Sequence, residues 1–360
     1  MLLHHIVGAR PNFMKVAPVH RALAARRGIV QAIVHTGQHY DASMSGIFFD
    51  QLGIPEPDFN LGVGSASHAR QTADVMVRLE PLFEQARPDL VLVYGDVNST
   101  VAAALVCSKL LLPVGHVEAG LRSFDRTMPE EINRILTDRV ADHLFTPSED
   151  GSENLAREGV PGERIHLVGN VMIDTLVRLL PYADGTALCR SLDLPEKGYA
   201  LVTLHRPSNV DDAGELNRTM EALSDIASDI EIIFPVHPRT RQMMQGLGRR
   251  GFSSRLHCID PVGYLEFLGL QRNARLIITD SGGIQEESTY LGVPCITVRD
   301  NTERPVTVHI GSNILAGRDM RRVRAEVANI LAGKAKECRV PPLWDGKAGE
   351  RIADVLERLA

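Results

Sequence analysis

The sequence predicts an α/β protein built from two doubly wound parallel sheets, one in each half of the chain. Short apolar runs alternate with longer segments of helical periodicity, which is typical of βα units around a parallel sheet. The chain has 360 residues, 44% of them hydrophobic, which is enough for two cores. Between the two sets of units, Pro181, Gly185, Pro195 and Gly198 interrupt the pattern.

The predicted strands follow one another at regular intervals. Those of the first half are LLHHIVG, VQAIVHT, DLVLVYG, PVGHVE, HLFTP and IHLVGN. Those of the second half are YALVTLH, EIIFPVH, SRLHCI, ARLIITD and PCITV. The last segment, GERIADVLERLA, has the periodicity of an amphipathic helix. We expect an N-terminal domain of residues 1–170, a C-terminal domain of residues 171–345 and a terminal helix within residues 346–360.

Composition and charge narrow the class of function. The formal net charge of −6, without a basic tract, argues against a nucleic-acid partner. No apolar run is long enough to span a bilayer and the N-terminus does not resemble a secretory signal, so we expect a cytoplasmic protein without a membrane partner. The five cysteines are an odd number without a C-x-x-C pair, which predicts neither a metal centre nor a disulfide framework.

Ligands of open α/β sheets bind beyond the carboxyl ends of the strands, so we expect the chemistry just after each strand. The stretch GARPNFMK brings Arg10 and Lys15 to the start of a helix after the first strand. A helix N-terminus and two cations would hold a phosphate or carboxylate. Ordinary surface cations beside a helix cap are the alternative.

Two neighbouring strand ends of the first half carry carboxylates. The stretch VYGDVNST places Asp96 after one strand, and PVGHVE places Glu118 after the next. Paired carboxylates in a crevice are candidates for proton transfer, because repulsion and burial raise the pKa of one of them. Helix capping by Asp96, or salt bridges to Arg122 or Arg126, are the alternatives.

The segment MPEEINRILTDRVAD predicts a helix that begins at Pro129, with Glu130 and Glu131 beside its positive end. Helix capping explains one of these glutamates. The preceding loop, GLRSFDRTM, is charged although it lies between two apolar elements, which favours a role in lining a site.

Two strand ends of the second half carry a histidine and an arginine. They are His205 with Arg206, and His237 with Arg239. A single histidine is more often structural, but two such ends favour a polar cleft that accepts anions.

The stretch TDSGGIQEE predicts a turn of small residues between a buried strand and a helix. Backbone N–H groups at Ser281, Gly282 and Gly283 would approach a diphosphate closely. We place Glu286 and Glu287 on the first turn of the helix, where one would accept hydrogen bonds from ribose hydroxyls. A plain glycine turn with dipole-complementing glutamates is the alternative. That alternative leaves four later charged residues unexplained: Arg299, Asp300, Glu303 and Arg304.

Taken in order, these motifs resemble the non-hydrolysing UDP-N-acetylglucosamine (UDP-GlcNAc) 2-epimerases. The matching stretches are GARPNFMK, GQHY, VYGDVNST, GHVEAGLRS, MPEEINR, VGNVMIDT, HR, PVHPRT, DPVGYLEF, TDSGGIQEE and RDNTERP. The resemblance implies two Rossmann-like domains of GT-B type with the active site in the cleft between them. It also implies a terminal helix packed on the first domain, a homodimer and a role in polysaccharide biosynthesis.

The resemblance also implies roles for individual residues. Asp96, Glu118 and Glu130 would be the acid/base carboxylates facing the sugar, and His205 would assist the departure of UDP. With the strand-end residues above, the implied substrate-binding set is Arg10, Lys15, Arg206, His237, Phe267, Ser281, Gly282, Gly283, Glu287 and Arg304. An allosteric UDP-GlcNAc site would involve Gln38, His39 and Arg70.

The implied reaction is C2 epimerisation of UDP-GlcNAc to UDP-N-acetylmannosamine (UDP-ManNAc). UDP is eliminated to leave a 2-acetamidoglucal and is then added back, so neither NAD nor another cofactor is required. Asn12, Pro207 and Ser208 replace polar or charged groups found in many members, which leaves a UDP-2,3-diacetamido uronic acid 2-epimerase as an alternative. A GT-B glycosyltransferase and a non-catalytic nucleotide-sugar sensor are two further alternatives, but a transferase needs one base at most and a sensor needs none.

Overall fold

The chain folds into two compact units. The computed structural model describes residues 1–37, 51–245 and 252–359. Unit 1 consists of Met1–Val177 and Pro342–Ala360, and unit 2 of Arg178–Pro341. The first boundary thus lies later than residue 170, because most of the helix that begins at Val171 belongs to unit 1.

Unit 1 contains a parallel sheet. Its strands are β1 Leu2–Val7, β2 Val30–His35, β3 Phe59–Asn60, β4 Leu90–Tyr94, β5 Val114–Val117, β6 His143–Thr146 and β7 Ile165–Leu167. Their order in the sheet is β3-β2-β1-β4-β5-β6-β7. The described helices are α1 Arg10–Ala24, α2 His68–Ala86, α3 Asn98–Leu110, α4 Pro129–Val140, α5 Glu149–Arg157 and α6 Val171–Leu179. The order reverses between β1 and β4, which makes their carboxyl ends the expected ligand-binding edge.

Unit 2 repeats this architecture. Its strands are β8 Tyr199–Thr203, β9 Glu231–Pro235, β10 Leu256–Ile259, β11 Leu276–Thr279, β12 Cys295–Thr297 and β13 Asn313–Leu315. Their order is β10-β9-β8-β11-β12-β13, and all the pairings are parallel. Its described helices are α7 Thr186–Ser191, α8 Pro207–Val210, α9 Ala213–Ile226, α10 Pro238–Gln245, α11 Tyr264–Asn273, α12 Gly282–Leu291, α13 Pro305–His309 and α14 Met320–Leu331.

The predicted fold class, an α/β protein with two parallel sheets, is confirmed. Every predicted strand corresponds to an observed one. The central strands are buried along their whole length, as β4 shows, because helices cover both faces of a parallel sheet. Two strands were not predicted, β3 and β13. They are two and three residues long, so neither forms a recognisable apolar run.

The last helix, α15 Ala348–Glu357, returns to unit 1 and packs on α1. A side chain at Gly349 would lie 2.7 Å from the carbonyl oxygen of Pro18, so the two helices meet where a glycine permits it. Arg26, which follows the C-cap residue of α1, forms ion pairs with Asp354 and, at 3.1 Å, with Glu357. Among the described residues, no helix has both the length and the apolar composition that crossing a membrane requires.

Asp174 of α6 caps the first turn of α15. Its two carboxylate oxygens accept hydrogen bonds from the backbone N–H groups of Ala348, at 3.0 Å, and Gly349, at 2.7 Å. The carboxyl is buried. Two of the N–H groups that a helix N-terminus leaves unpaired are thereby satisfied by a residue far away in the sequence.

We expect Asp174→Asn to remove a pH-dependent part of the stability. Burial raises the pKa of Asp174 to about 6, although the Gly349 and Ala348 N–H groups oppose this rise. An unfolded aspartate titrates near about 3.9. Folding therefore favours the protonated form, and this stabilisation is complete below about pH 4 and lost as the pH rises through about 6. Relative to the variant, the free energy of unfolding of the wild type should fall by about 2 kcal/mol between pH 4 and pH 7.

Urea denaturation at a series of pH values measures this difference. Asp89→Asn is the matched control, because Asp89 also accepts a backbone N–H, from Leu2 at 2.6 Å, but is exposed to solvent. A difference between wild type and Asp174→Asn that stays constant with pH would contradict the prediction.

Candidate active site

An ion pair lies at the carboxyl ends of β1, β4 and β5. Lys15 of α1 pairs with Glu118, which follows β5, and both residues are buried. Gly95, which follows β4, has a φ of 64°, and a side chain there would overlap the Lys15 Nζ and lie 3.1 Å from the Glu118 Oε2. Glu118 itself has a φ of 72°, a conformation that costs a non-glycine residue free energy. The turns after both strands are thus shaped around this ion pair.

Asp96 belongs to a second group of charges beside the first. It pairs with Arg134 of α4, which also donates to Glu131 Oε2 from Nε at 3.0 Å and from Nη2 at 2.7 Å. Asp96 does not cap α3, whose N-cap residue is Val97. Asp96 therefore forms a salt bridge to an arginine, as the alternative predicted, but that arginine is Arg134 instead of Arg122 or Arg126.

Glu131 is the carboxylate of α4 that joins this group. It accepts the backbone N–H groups of Ser123 and Phe124, both at 2.9 Å, in addition to the Arg134 guanidinium. Burial opposes its ionisation, but these donors outweigh burial and lower its pKa. Glu130 is half-buried on the same turn and forms no hydrogen bond or ion pair with another described residue. The helix begins at Pro129, as predicted.

Arg122 belongs to a third group of charged residues in unit 1, together with Asp138, Glu158 and His116. It donates to Asp138 at 2.7 Å and to both oxygens of Glu158 at 2.8 Å. Asp138 also contacts His116, and burial opposes its ionisation, but His116 and Arg122 together lower its pKa. Neither Arg134 nor Asp138 was among the predicted site residues. Their spacing from Glu131 in α4, at i+3 and i+7, puts all three on one helix face, which is the signal that was available.

Asn12 lies in the first turn of α1 and is buried. Its side-chain oxygen accepts the backbone N–H groups of Gly8, at 3.1 Å, and Ala9, at 3.0 Å, and its amide donates to the Tyr94 carbonyl at 2.8 Å. Asn12 therefore holds the β1–α1 turn against the end of β4. We expected Asn12 to replace a polar or charged group near the ligand. Its side chain instead bonds the backbone of this turn and of β4.

Some residues of the implied substrate-binding and allosteric sets lie partly or wholly outside the described part of the chain. Gln38 and His39 lie outside the described residues, as does the side chain of Arg10. Arg70 lies near the start of α2, is largely exposed and pairs with Asp74 at 2.8 Å.

In unit 2, Asp280 organises the strand ends of β8 and β11. It is fully buried and accepts the backbone N–H groups of His205 at 3.0 Å and Arg206 at 2.9 Å, and the Asn209 amide at 2.9 Å. His205 Nδ1 lies 3.0 Å from Asp280 Oδ1. Burial opposes the ionisation of Asp280, but these contacts outweigh burial and lower its pKa. Because Asp280 engages Nδ1, Nε2 is the ring nitrogen of half-exposed His205 that remains for a ligand.

The second histidine of this edge is adjacent. The ring centroids of His205 and His237 are 6.2 Å apart, so the ends of β8 and β9 bring the two predicted histidines together. Arg206 lies 3.9 Å from Glu303.

The predicted glycine turn opens α12. Ser281 is its N-cap residue, and a side chain at Gly282 would lie 2.5 Å from Arg304 and 2.8 Å from Glu303, whereas nothing lies within 4 Å at Gly283. The glycine at 282 is therefore required by the close approach of Arg304. Arg304 in turn pairs with Glu303 and, at 2.9 Å, with Glu286.

The placement of Glu286 and Glu287 on the first turn of α12 is wrong. The first turn carries no acidic residue, and both glutamates follow it in the buried part of the helix. Glu287 accepts hydrogen bonds from Tyr264 at 2.9 Å and Gln271 at 2.6 Å. Burial raises its pKa, and these two donors oppose the rise. Phe267 lies on the helix α11 that supplies both donors and packs against the core.

The described residues contain no group of three or more histidine, cysteine, aspartate or glutamate side chains arranged to hold a metal ion. The five cysteines are free. The described strand ends of the two units carry carboxylates, histidines, cations and backbone N–H groups.

Known proteins share this sequence and fold. Residues 21–357 match the family described as UDP-N-acetylglucosamine 2-epimerase. The chain is 44% identical to the UDP-N-acetylglucosamine 2-epimerase of Methanocaldococcus jannaschii, over 99% of each chain. It is 43% identical to the UDP-2,3-diacetamido-2,3-dideoxy-D-glucuronate 2-epimerase of Pseudomonas aeruginosa, over 98% of this chain and 99% of the other. A crystal structure of M. jannaschii UDP-GlcNAc 2-epimerase in complex with UDP-GlcNAc and UDP superposes with a TM-score of 0.89 and 42% identity, over 99% of this chain and 100% of that one.

Fold and site together define a nucleotide-sugar enzyme of the GT-B type. The chain belongs to the UDP-N-acetylglucosamine 2-epimerase family and is an isomerase. The resemblance drawn from the motifs is thereby confirmed.

We expect Gly95→Ala to destabilise the protein more than its backbone conformation alone requires. A left-handed residue costs about 1–2 kcal/mol when a side chain is added. At Gly95 the new methyl group must also displace the Lys15–Glu118 pair, which adds roughly 2 kcal/mol. Gly159→Ala is the control, since Gly159 has a φ of 81° with no atom within 4 Å of the added carbon. Urea denaturation of both variants measures the difference, and equal losses would refute the role of the ion pair.

Proposed function

We propose that this protein interconverts UDP-GlcNAc and UDP-ManNAc by inverting C2 of the sugar. The observation that carries the proposal is the grouping of Asp96, Glu118 and Lys15 at adjoining strand ends. The proposal is supported by the relative from M. jannaschii, named UDP-N-acetylglucosamine 2-epimerase, and by the solved structure that contains UDP-GlcNAc and UDP.

In the proposed reaction, a base removes the C2 proton while UDP leaves from C1, which gives a 2-acetamidoglucal. UDP then adds back to C1, and a proton is delivered to the opposite face of C2. Because the proton leaves one face of C2 and returns to the other, the site needs proton-transfer groups on both sides of the sugar. Asp96, Glu118 and Glu130 fill these roles. Because UDP is the leaving group, no oxidation state changes and no NAD or other redox cofactor takes part.

Unit 1 supplies the proton-transfer groups of this proposal. The Lys15 ammonium neutralises Glu118 in the absence of substrate, and a diphosphate would compete with Glu118 for that ammonium. Release of Glu118 from the Lys15 ammonium would make its carboxylate a stronger base. Binding of the nucleotide sugar and activation of the base are thereby linked.

Unit 2 supplies the UDP-binding groups. The N–H groups at Ser281, Gly282 and Gly283 open a helix, and this geometry stabilises the negative charge that develops on the diphosphate as the C1–O bond breaks. His205 assists departure through Nε2, since Asp280 fixes Nδ1. Arg206, His237 and Arg304 add positive charge or hydrogen-bond donors to the same strand ends. Glu287 binds the ribose hydroxyls and Phe267 lies near the uracil.

A second candidate substrate is a UDP-2,3-diacetamido uronic acid. The relative from P. aeruginosa, which is named for that activity, is nearly as similar as the relative from M. jannaschii. Both candidates share the same chemistry at C1 and C2 and differ in the substituents at C3 and C6. The homodimer, the allosteric site and the role in polysaccharide biosynthesis belong to the same proposal, and sedimentation velocity measures the first of them.

The first test is proton NMR of UDP-GlcNAc incubated with the purified protein in deuterated water. We expect UDP-ManNAc with deuterium at C2, because the base exchanges its proton with solvent between removal and return. If UDP-GlcNAc is inert and the diacetamido uronic acid reacts, the second substrate is correct. If neither substrate epimerises or exchanges, the proposed function is wrong and a glycosyltransferase becomes the better hypothesis.

The second test separates chemistry from binding. Asp96→Asn and Glu118→Gln are each expected to lower kcat by roughly 100-fold or more, because each removes a proton-transfer group. Binding of UDP, measured by calorimetry, should not weaken by more than about threefold, since the unit 2 groups proposed to bind UDP are unchanged and the Lys15 ammonium is present in both variants. Glu153→Gln, which alters an exposed ion pair on α5, is the matched control and should retain activity. Loss of UDP binding in the folded variants would contradict the assigned roles.

A further inference from the structure

His116 of β5 is fully buried and bonded at both ring nitrogens. Its Nδ1 lies 2.6 Å from Asp138 Oδ1, and its Nε2 lies 2.9 Å from the carbonyl oxygen of Gly95. A carbonyl oxygen accepts hydrogen bonds and cannot donate one. Nε2 must therefore carry a proton.

The proton on the other nitrogen follows from the surroundings of Asp138. The second carboxylate oxygen accepts from Arg122 at 2.7 Å and from the backbone N–H of Gly120 at 3.1 Å. These donors stabilise the ionised carboxylate, which then has no proton to give to His116. Nδ1 is the donor in this bond as well, so the ring carries two protons and a positive charge.

His5 of β1 provides the contrast. It is also fully buried, but its Nδ1 contacts the Tyr94 hydroxyl at 2.6 Å and its Nε2 contacts Gln31 Oε1 at 2.9 Å. A hydroxyl can donate as well as accept, so a neutral ring satisfies both contacts. Burial, assisted by neighbouring His20, lowers the pKa of His5 to about 3.

The bonds of His116 and Asp138 join the two turns that carry the carboxylates. At one end, His116 holds the carbonyl of Gly95, which immediately precedes Asp96. At the other end, Asp138 holds the N–H of Gly120, two residues after Glu118. The neighbouring charges are those of Arg122 and Glu158 on the far side of Asp138, and those of Lys15, Glu118 and Asp96 at the strand ends.

We propose that His116 is a positioning residue that acts as a buried imidazolium, held by Asp138, and that it sets the placement of Asp96 relative to Glu118. Its role in catalysis rests on the function proposed above. A neutral ring carries one proton, so it would leave one of the two acceptor oxygens facing a nitrogen without a proton, and the turn on that side would have to move. Because proton transfer needs its groups in place to well under an ångström, such a movement costs turnover more than binding.

The charge of His116 can be read directly by ¹⁵N NMR of the full-length protein labelled in its histidines. At pH 7 to 8 we expect protons on both ring nitrogens of His116, assigned by the loss of these signals in His116→Gln. His5 is the internal reference, with one bare nitrogen under the same conditions. A bare nitrogen on His116 at pH 7 would overturn the inference, and this result does not depend on any activity.

The positioning role is tested by Asp138→Asn. The amide can keep its oxygen towards Arg122 and Gly120 while its NH₂ group faces Nδ1, which converts His116 to the neutral form with little change in shape. Because neutral hydrogen bonds are roughly half as strong as charge-assisted ones, the two turns are then held less tightly. We expect kcat to fall roughly 10-fold while KM and UDP binding stay within about threefold. Asp138→Glu restores the negative charge and should recover part of the lost kcat.

Glu158→Gln is the matched control, because it removes the other partner of Arg122 and leaves the His116–Asp138 bond in place. It should keep kcat within about threefold of the wild type. Wild-type kcat in Asp138→Asn, with His116 shown to be neutral by NMR, would overturn the positioning role. If the wild type does not turn over either UDP-sugar, the proposed function fails instead, and the nitrogen signals still decide the charge of His116.

Discussion

The contact between Lys15 and Glu118 constrains most of the geometry at the catalytic edge of unit 1. The two charges are buried together, and a buried ion pair is tolerated only where the backbone around it is closely fitted. Gly95 leaves space for the ammonium, and Glu118 adopts a left-handed conformation to reach it. In the proposed function, the ammonium that the family resemblance associates with the diphosphate would hold Glu118, the proposed proton-transfer group, until substrate arrives.

The two units share an arrangement of a buried aspartate and a histidine, but the histidine has different surroundings in each. In each, a buried aspartate bonds the Nδ1 of a strand-end histidine and one or more backbone N–H groups of a neighbouring turn. In unit 1 the histidine is enclosed and its second nitrogen holds a backbone carbonyl. In unit 2 the side chain of His205 is 44% exposed, and its second nitrogen remains for a ligand. The degree of burial separates a residue that fixes the backbone from one suited to chemistry.

The sequence predicted the elements that depend on local pattern. Apolar runs located the strands, and the rule that ligands bind beyond strand ends located Lys15, Asp96, Glu118, His205 and Ser281. The resemblance implied Glu130 as an acid/base carboxylate, but the local pattern did not show that Glu131 is the buried one of the two, because adjacent residues of a helix differ in direction by about 100° and packing decides which is buried. Nor did it find Asp138, since the partners of that carboxylate are distant in sequence and meet only when β5 and α4 pack. Glu286 and Glu287 were misplaced because the first residue of α12 was not fixed by the pattern.

Unit 1 is discontinuous in the chain, because all of unit 2 is inserted between Val177 and Pro342. The helix that covers α1 is therefore synthesised after unit 2, whereas α1 is synthesised before it. On the ribosome, unit 2 can complete its sheet while the surface of α1 around Pro18 is still uncovered. Translation thus imposes an order in which unit 1 begins before unit 2 and is completed after it, and the α1 surface stays uncovered while unit 2 is synthesised.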